Sequence, residues 1–327
     1  MKVALYTPAY NSSPGSQARV DLIRKSLEMA GHKTILIVGH EPQLQTAYHV
    51  LGRRLLRLEG TWKVMGKIIS RAICKQRPKA AIMFLDVCAS AIPYLKKCGI
   101  STILSIEDLT PEYKHYDLKS SQKFYQILSK YAEQADAILS SSYTLSKRLE
   151  RLGFKAIPTP IGLEPYVSLD EALVRLNPPL LLHAGQLNAE WKIRVLLFLA
   201  SNYKMIVHNF GKLADKLNHP NIEKYREPTV RKAADIVKRA HMGLILEKRR
   251  AYTLTRLYFH LSLLQPIIAE GYGPWIDEAI CLGLNLYPLN VIEEIIENYG
   301  KHVKECAEMQ KKLAIPHVHK ALLSLLE

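Results

Sequence analysis

Paired thiols are the first thing this sequence lacks. Its five cysteines (Cys74, Cys88, Cys98, Cys281 and Cys306) are scattered, odd in number and free of any C-x-x-C pair. A cross-linked scaffold or a cysteine zinc site needs regularly spaced partners, so these read as reduced packing residues. No run of about 18 uncharged apolar residues occurs, which leaves nothing to span a bilayer as a helix. The opening residues Met1 to Tyr6 enter a strand-like pattern directly, with no small-residue cleavage site, and this predicts a cytosolic protein. The net charge of +15 asks for an anionic partner. There is, however, no RNA-binding motif, zinc-finger spacing or basic zipper, so nucleic acid is the poorer fit.

Acidic residues are scarcest in one stretch. Leu51 to Lys79 holds nine Lys and Arg against the single acid Glu59. Within it Met65, Ile68, Ile69, Ala72 and Ile73 keep helical spacing on one side, while Lys63, Lys67 and Arg71 fall on the other. Two readings stand: a core helix with a solvated basic face, or an amphipathic helix lying on anionic lipid headgroups with Trp62 near the interface. Gly60 and Gly66 weaken such a helix. The basic excess is confined to the first half: up to Tyr166 there are 24 Lys+Arg against 13 Asp+Glu, net +11, and beyond it 21 against 17, net +4.

What the chain does have is length and alternation. Its 327 residues, 48% of them hydrophobic, suit two domains, each with its own core. Strand-like runs at Lys2 to Pro8, Thr34 to Val38, Ala80 to Leu85, Ser101 to Ile106 and Ala137 to Ser140 alternate with amphipathic helical patterns, which requires right-handed parallel crossovers. A proline-rich stretch, Ile157 to Pro165, then interrupts the pattern. The domain boundary is placed there, giving 1–165 and 166–327. The alternation resumes with strands at Leu180 to His183, Lys204 to His208, Met242 to Leu246, Pro266 to Ala269 and Leu284 to Tyr287. Helices are expected at Thr229 to Ala240 and from His317 to Leu326, among others. The fold class is therefore α/β, two doubly wound, Rossmann-like parallel sheets, with a cleft between them as the default ligand site.

Ligands in such sheets bind beyond the carboxyl ends of the strands. Three places there carry chemistry. After the first strand comes a turn-rich loop with Gly15 and Ser16. Ser101 to Ile106 runs into Glu107 and Asp108, candidates for acid-base work or for holding acceptor hydroxyls, with helix capping by Asp108 as the alternative. The third is Leu180 to Leu197, an apolar strand, a glycine turn at Gly185, and Lys192 near the start of a helix. Backbone amides, a helix dipole and an ammonium would meet an anion together at that point. Asn209, Gly211 and Lys212 form a second glycine turn nearby.

These residues resemble the GT-B fold sugar-nucleotide glycosyltransferases, especially the family-four type. Ala135 to Ser142 followed by Ile161-Gly162-Leu163-Glu164 looks like the family's strand and linker motifs. Gly185-Gln186-Leu187 with Lys192 is similar to its glycine-lysine motif, and Arg256 to Pro266-Ile267-Ile268 to its final one. The resemblance implies a nucleoside-diphosphate sugar donor, bound by the second domain with Lys192 and Arg256 on the diphosphate. It also implies a glycan, lipid or protein acceptor at the first domain, and no cofactor or metal. Departures are present too. The family's two glutamates would fall on Ala251 and Phe259, so the usual donor-gripping carboxylate is missing; Glu247 or Glu270 could supply a substitute. Leu264 replaces a glycine, and the first loop has only Gly15 where a pair is common. A degenerate, non-catalytic protein of the same fold, docking through the basic 51–79 segment, is the alternative; a sugar-nucleotide epimerase ranks below both.

Overall fold

The computed structural model describes residues 1–8, 14–39, 56–113, 116–174, 179–211, 213–225, 236–248, 251–252 and 254–327. Most of the helix expected at Thr229 to Ala240, together with Lys212, Arg53 and Arg54, lies outside them. The chain divides into two compact units. The first comprises 1–162, 250–253 and 315–327, and the second 163–249 and 254–314.

In the first unit β1 (Lys2–Thr7), β2 (Lys33–Val38), β3 (Ala80–Phe84), β4 (Ser101–Ile106), β5 (Ala137–Ser140) and β6 (Ala156–Pro158) form one sheet in the order β2-β1-β3-β4-β5-β6. Every pairing in it is parallel. Parallel strands are covered on both faces and so read as continuous apolar runs; Val3 to Tyr6 and Ala80 to Phe84 are buried throughout. Helix α1 (Pro14–Met29) places Val20, Ile23 and Leu27 on one face of the sheet. On the other face lie α2 (Glu59–Cys74), α3 (Leu118–Ala132) and α4 (Tyr143–Arg151), whose apolar sides share one core with Ala4, Met83 and Leu104. Asp117 caps α3 and Ser142 caps α4, the latter as its residue type and position predict. Between β3 and β4 a 3-10 turn, Asp86–Ala91, leads into a short helix, Ile92–Lys97.

The second unit repeats the plan. Strands β7 (Leu180–Gln186), β8 (Lys204–Phe210), β9 (Ile222–Tyr225), β10 (Met242–Lys248), β11 (Ile267–Tyr272) and β12 (Leu286–Tyr287) form a parallel sheet in the order β12-β11-β10-β7-β8-β9. The chain order reverses between β7 and β10, as it does between β1 and β3 in the first sheet, and such switch points open a crevice at the carboxyl ends. Helices α5 (Glu190–Ala200), α6 (Thr255–Ser262), α7 (Pro274–Cys281) and α8 (Tyr299–Leu313) complete the unit. Strands β6 and β9 escaped the sequence reading, being three and four residues long.

Several expectations are corrected here. Trp62 does not face a membrane. It is fully buried, stacks on Tyr131 at 5.7 Å, meets Phe124 edge-on, and donates its indole N–H to the Leu56 carbonyl. An indole that can satisfy its N–H internally gains more from the core than from the surface. The C-terminal residues 315–327 belong to the first unit, not to the second domain as expected. Leu322 and Leu326 join the α1 core, and the buried His319 ring bonds Ser26 Oγ at 2.6 Å and the Pro160 carbonyl at 3.2 Å. Among the cysteines, Cys88 and Cys306 are buried as expected, but Cys98 and Cys281 are exposed next to helix C-termini.

Gly66 is a contact position: a Cβ there would fall 2.1 Å from the Ser90 carbonyl oxygen. Helix propensity alone would make Gly66→Ala stabilising by about 1 kcal/mol. Overpacking against backbone costs about 1–3 kcal/mol, so the net change is expected to be destabilising. Urea titration of the two proteins checks the sign, and a more stable Gly66→Ala would refute the contact.

Candidate functional site

In the second unit the switch point between β7 and β10 collects most of the candidates. Gly185 lies at the end of β7, where an added Cβ would come within 2.6 Å of Arg256 Nη1. Glycine is therefore needed so that the guanidinium of α6 can lie against the strand. Lys192, on the first turn of α5, donates to the Gln186 carbonyl at 3.3 Å and faces Glu247 Oε2 at 3.5 Å. Glu247, near the end of β10, accepts Arg256 Nη2 through the same oxygen. All three are withdrawn from water: Lys192 is 3% exposed, Glu247 6%, and the Arg256 side chain 13%. Of the two substitute carboxylates, it is thus Glu247 that joins the cations, whereas Glu270 lies on β11 in register with Leu246 of β10.

The second glycine turn packs on the first. A Cβ at Gly211 would be 2.7 Å from the Leu187 carbonyl, and Leu213 N–H donates to that same carbonyl. Asn209 is in register with Gly185; Lys212 lies outside the described residues. Leu264, standing where the resembling family has glycine, adopts φ 52° and is 1% exposed. A bulky residue in the left-handed region is a genuine outlier, so the turn keeps a glycine-like backbone without the glycine.

Two buried histidines, given no role by the sequence reading, border this cluster. His183 on β7 bonds the Leu244 carbonyl through Nδ1 at 3.1 Å, and His260 on α6 bonds Gln265 Oε1 through Nδ1 at 2.8 Å. Gln265 fixes its own orientation by donating Nε2 to the Val237 and Ala240 carbonyls. Facing oxygen acceptors, both rings carry hydrogen on Nδ1, which leaves each Nε2 a bare acceptor. Those Nε2 atoms are buried without a partner among the described residues. Burial first, and then the nearby Arg256 charge, push His183 down to about 3; burial holds His260 at about 4, Gln265 opposing and Arg256 adding to it. The one sequence signal was a histidine within an apolar strand run, Leu180 to His183.

In the first unit Glu107 and Asp108 part company. Glu107 extends from the end of β4, accepts Ser16 Oγ–H at 2.9 Å, and has its other carboxylate oxygen buried with no partner among the described residues. Burial raises its pKa, while Arg19 and the Ser16 bond oppose the rise. Gly15 and Ser16 stand in the first turn of α1, so its dipole points toward this carboxylate. Arg19, 1% exposed, braces the region by donating to the Thr159 carbonyl at 2.9 Å and to Ser105 Oγ at 3.1 Å. Asp108 instead accepts the Tyr252 N–H at 3.0 Å, a holding role. Nearby, buried Asp86 accepts from Val87 N–H and from both Thr110 N–H and Oγ–H, fixing the turn after β3; burial pushes it up to about 6.

No protein-family model matches the chain, and no curated protein matches it in sequence. Solved structures do match over its whole length. Sucrose-phosphate synthase from Thermosynechococcus elongatus superposes with TM-score 0.69 at 12% identity, covering 100% of this chain and 98% of that one. Anabaena HepE, solved with UDP-glucose, gives 0.64 at 11% identity, with 100% and 99% covered. A Listeria monocytogenes protein assigned as a UDP-N-acetylglucosamine 2-epimerase gives 0.59 at 11%, with 98% and 94% covered. The fold is the two-unit parallel α/β architecture of GT-B glycosyltransferases, which the epimerase shares. No helix among the described residues is long and apolar enough to cross a membrane.

The histidines make a pH prediction. Both have folded pKa values below the unfolded value of about 6.5, so between the two the unfolded chain binds more protons. Stability is therefore present above pH 6.5 and is lost as pH falls toward 4. Melting temperatures are expected to decline over that window and the decline to shrink in His260→Gln; a flat profile in the parent chain would contradict the buried neutral rings.

Proposed function

We propose that the chain transfers a sugar from a nucleoside-diphosphate sugar to an acceptor hydroxyl, the second unit holding the donor and the first presenting the acceptor base. The observation that carries this reading is the meeting of Lys192 and Arg256 beside the Gly185 turn. Departure of the sugar leaves one additional negative charge to be stabilised on the leaving diphosphate oxygen. Preorganised cations in a water-poor site do this with little reorganisation, so the proposed chemistry needs no metal. Before donor binds, Glu247 is the anion that both cations share, leaving a net positive charge; a diphosphate would supply the balancing charge and leave the carboxylate to accept a donor hydroxyl. Glu107, its proton affinity raised by burial, would take the proton of the acceptor hydroxyl.

A second reading has one observation in its favour: the same triad is already closed on itself, as in a protein of this fold that no longer binds a donor. One experiment separates the two. Melting temperature is measured against a panel of nucleoside diphosphates and their sugar conjugates, since ligands of the native state stabilise it by mass action. The transferase reading expects a shift with one nucleotide, a loss of that shift in Lys192→Met, and a larger shift in Glu247→Gln, where the ligand alone neutralises the cations. No shift with any nucleotide would establish the degenerate reading. Given a donor, Glu107→Gln is expected to lower turnover on the order of 10²–10⁴-fold, the usual weight of a general base; an unchanged rate would remove Glu107 from that role.

A further inference from the structure

The layer formed by α2, α3 and α4 exposes several of the cations of the first half of the chain, with the exposed acids Asp117, Glu133 and Glu150 at the ends of α3 and on α4. Helix α1, on the other side of the sheet, exposes a mixed set in which Arg24 pairs with Glu28. The α2–α3–α4 layer is different. On α2, Lys63, Lys67 and Arg71 all point to solvent; on α3, Lys119 and Lys123 do the same, as does Arg151 on α4. Glu59 answers only Lys63 and Lys130, and it is itself 38% exposed. Lys67, Arg71, Lys119 and Lys123 have no carboxylate within ion-pair distance among the described residues. The layer also exposes aliphatic side chains among its cations: Leu58 at 52%, Val64 at 59% and Leu118 at 75%. Val64 shares the outward face of α2 with Lys67 and Arg71, one and two turns on.

From this we infer that the outer face of α2 and α3 docks on an anionic lipid bilayer, lying flat at the headgroup level. The cations would meet the lipid phosphates, and Leu58, Val64 and Leu118 would enter the headgroup–acyl boundary. The aliphatic groups decide between polyanions. A nucleic acid or a sulfated glycan offers the cations the same attraction, but it gives an exposed leucine or valine nothing, and single-stranded chains are held by aromatic platforms. The aromatic ring best placed to be one, Trp62, is buried. Trp62 had been expected at the interface; Val64, on the opposite side of α2, takes that place, and α3 adds a second basic helix that the sequence reading had not joined to the first. The inference is independent of the transferase reading, because none of these residues touches either candidate site.

The test is sedimentation of the full chain with sucrose-loaded vesicles of phosphatidylcholine, with and without phosphatidylglycerol, alongside retention on heparin. Binding is expected only to the anionic vesicles, and it should weaken as salt shortens the screening length. Each neutralised cation near the surface is worth about fivefold in affinity, so Lys67→Gln/Arg71→Gln/Lys123→Gln should lose on the order of 100-fold. Val64→Ser/Leu118→Ser should weaken vesicle binding and leave heparin retention unchanged. All five positions are exposed, and unchanged circular dichroism and melting temperature confirm that each variant folds; should either multiple variant fail to fold, its single substitutions are measured instead. Absence of vesicle binding, equal binding to neutral vesicles, full binding by the charge variant, or loss of heparin retention in step with vesicle binding in Val64→Ser/Leu118→Ser would each overturn the inference.

Discussion

The arrangement of the second unit depends on one buried carboxylate between two cations. Removing Lys192, Glu247 and Arg256 from water costs several kcal/mol per ion, and mutual attraction repays it only with close geometry. That geometry comes from three separate elements: the first turn of α5, the end of β10, and the first turn of α6. Gly185 provides the room in which Arg256 lies. The same surroundings keep His183 and His260 neutral, since another buried positive charge beside Arg256 would be costly. Charge and packing are thus one problem here, and glycine, histidine and glutamate are three parts of its solution.

Much of the architecture was legible because parallel sheets write themselves plainly. A strand covered on both faces is a run of apolar residues, and the helix that follows is amphipathic with a recognisable cap; Val3 to Tyr6, Ala80 to Phe84 and Ser142 are examples. Two short strands, β6 and β9, were not legible, although the still shorter β12 was. In β6 and β9 few side chains are buried on both sides, so neither length nor pattern marks them. The destination of the last thirteen residues was hidden for another reason. Helical periodicity says which face of His317 to Leu326 is buried, but not against which core.

The site divides in the same way. Gly185 and Lys192 could be read because their motif is local, a strand, a turn and a helix start within a few residues of each other; Arg256, on a helix far along the chain, was reached only through the resemblance. Glu247 could be named only as one of two options, for its role depends on strand order. His183 and His260 gave little signal, because a histidine is assigned by what faces it, and Leu244 and Gln265 are distant in sequence or unremarkable in type. Trp62 shows the opposite error. Amphipathic spacing treats a helix as having an inside and an outside, but an aromatic at the margin can turn inward once Phe124 and Tyr131 supply a pocket.

Leu264 bears on how such chains are recognised at all. Its backbone holds a left-handed turn at φ 52°, an arrangement costing an ordinary residue about 1–2 kcal/mol, while its side chain is sealed in the interior. Burying a leucine returns a comparable amount, so the glycine can be exchanged while the bend is kept. A pattern that searches for a glycine loses the chain at that position, although the backbone there is of the kind that glycine favours. Shape has outlasted spelling, and distant members of a fold are better sought by the turn than by the letter.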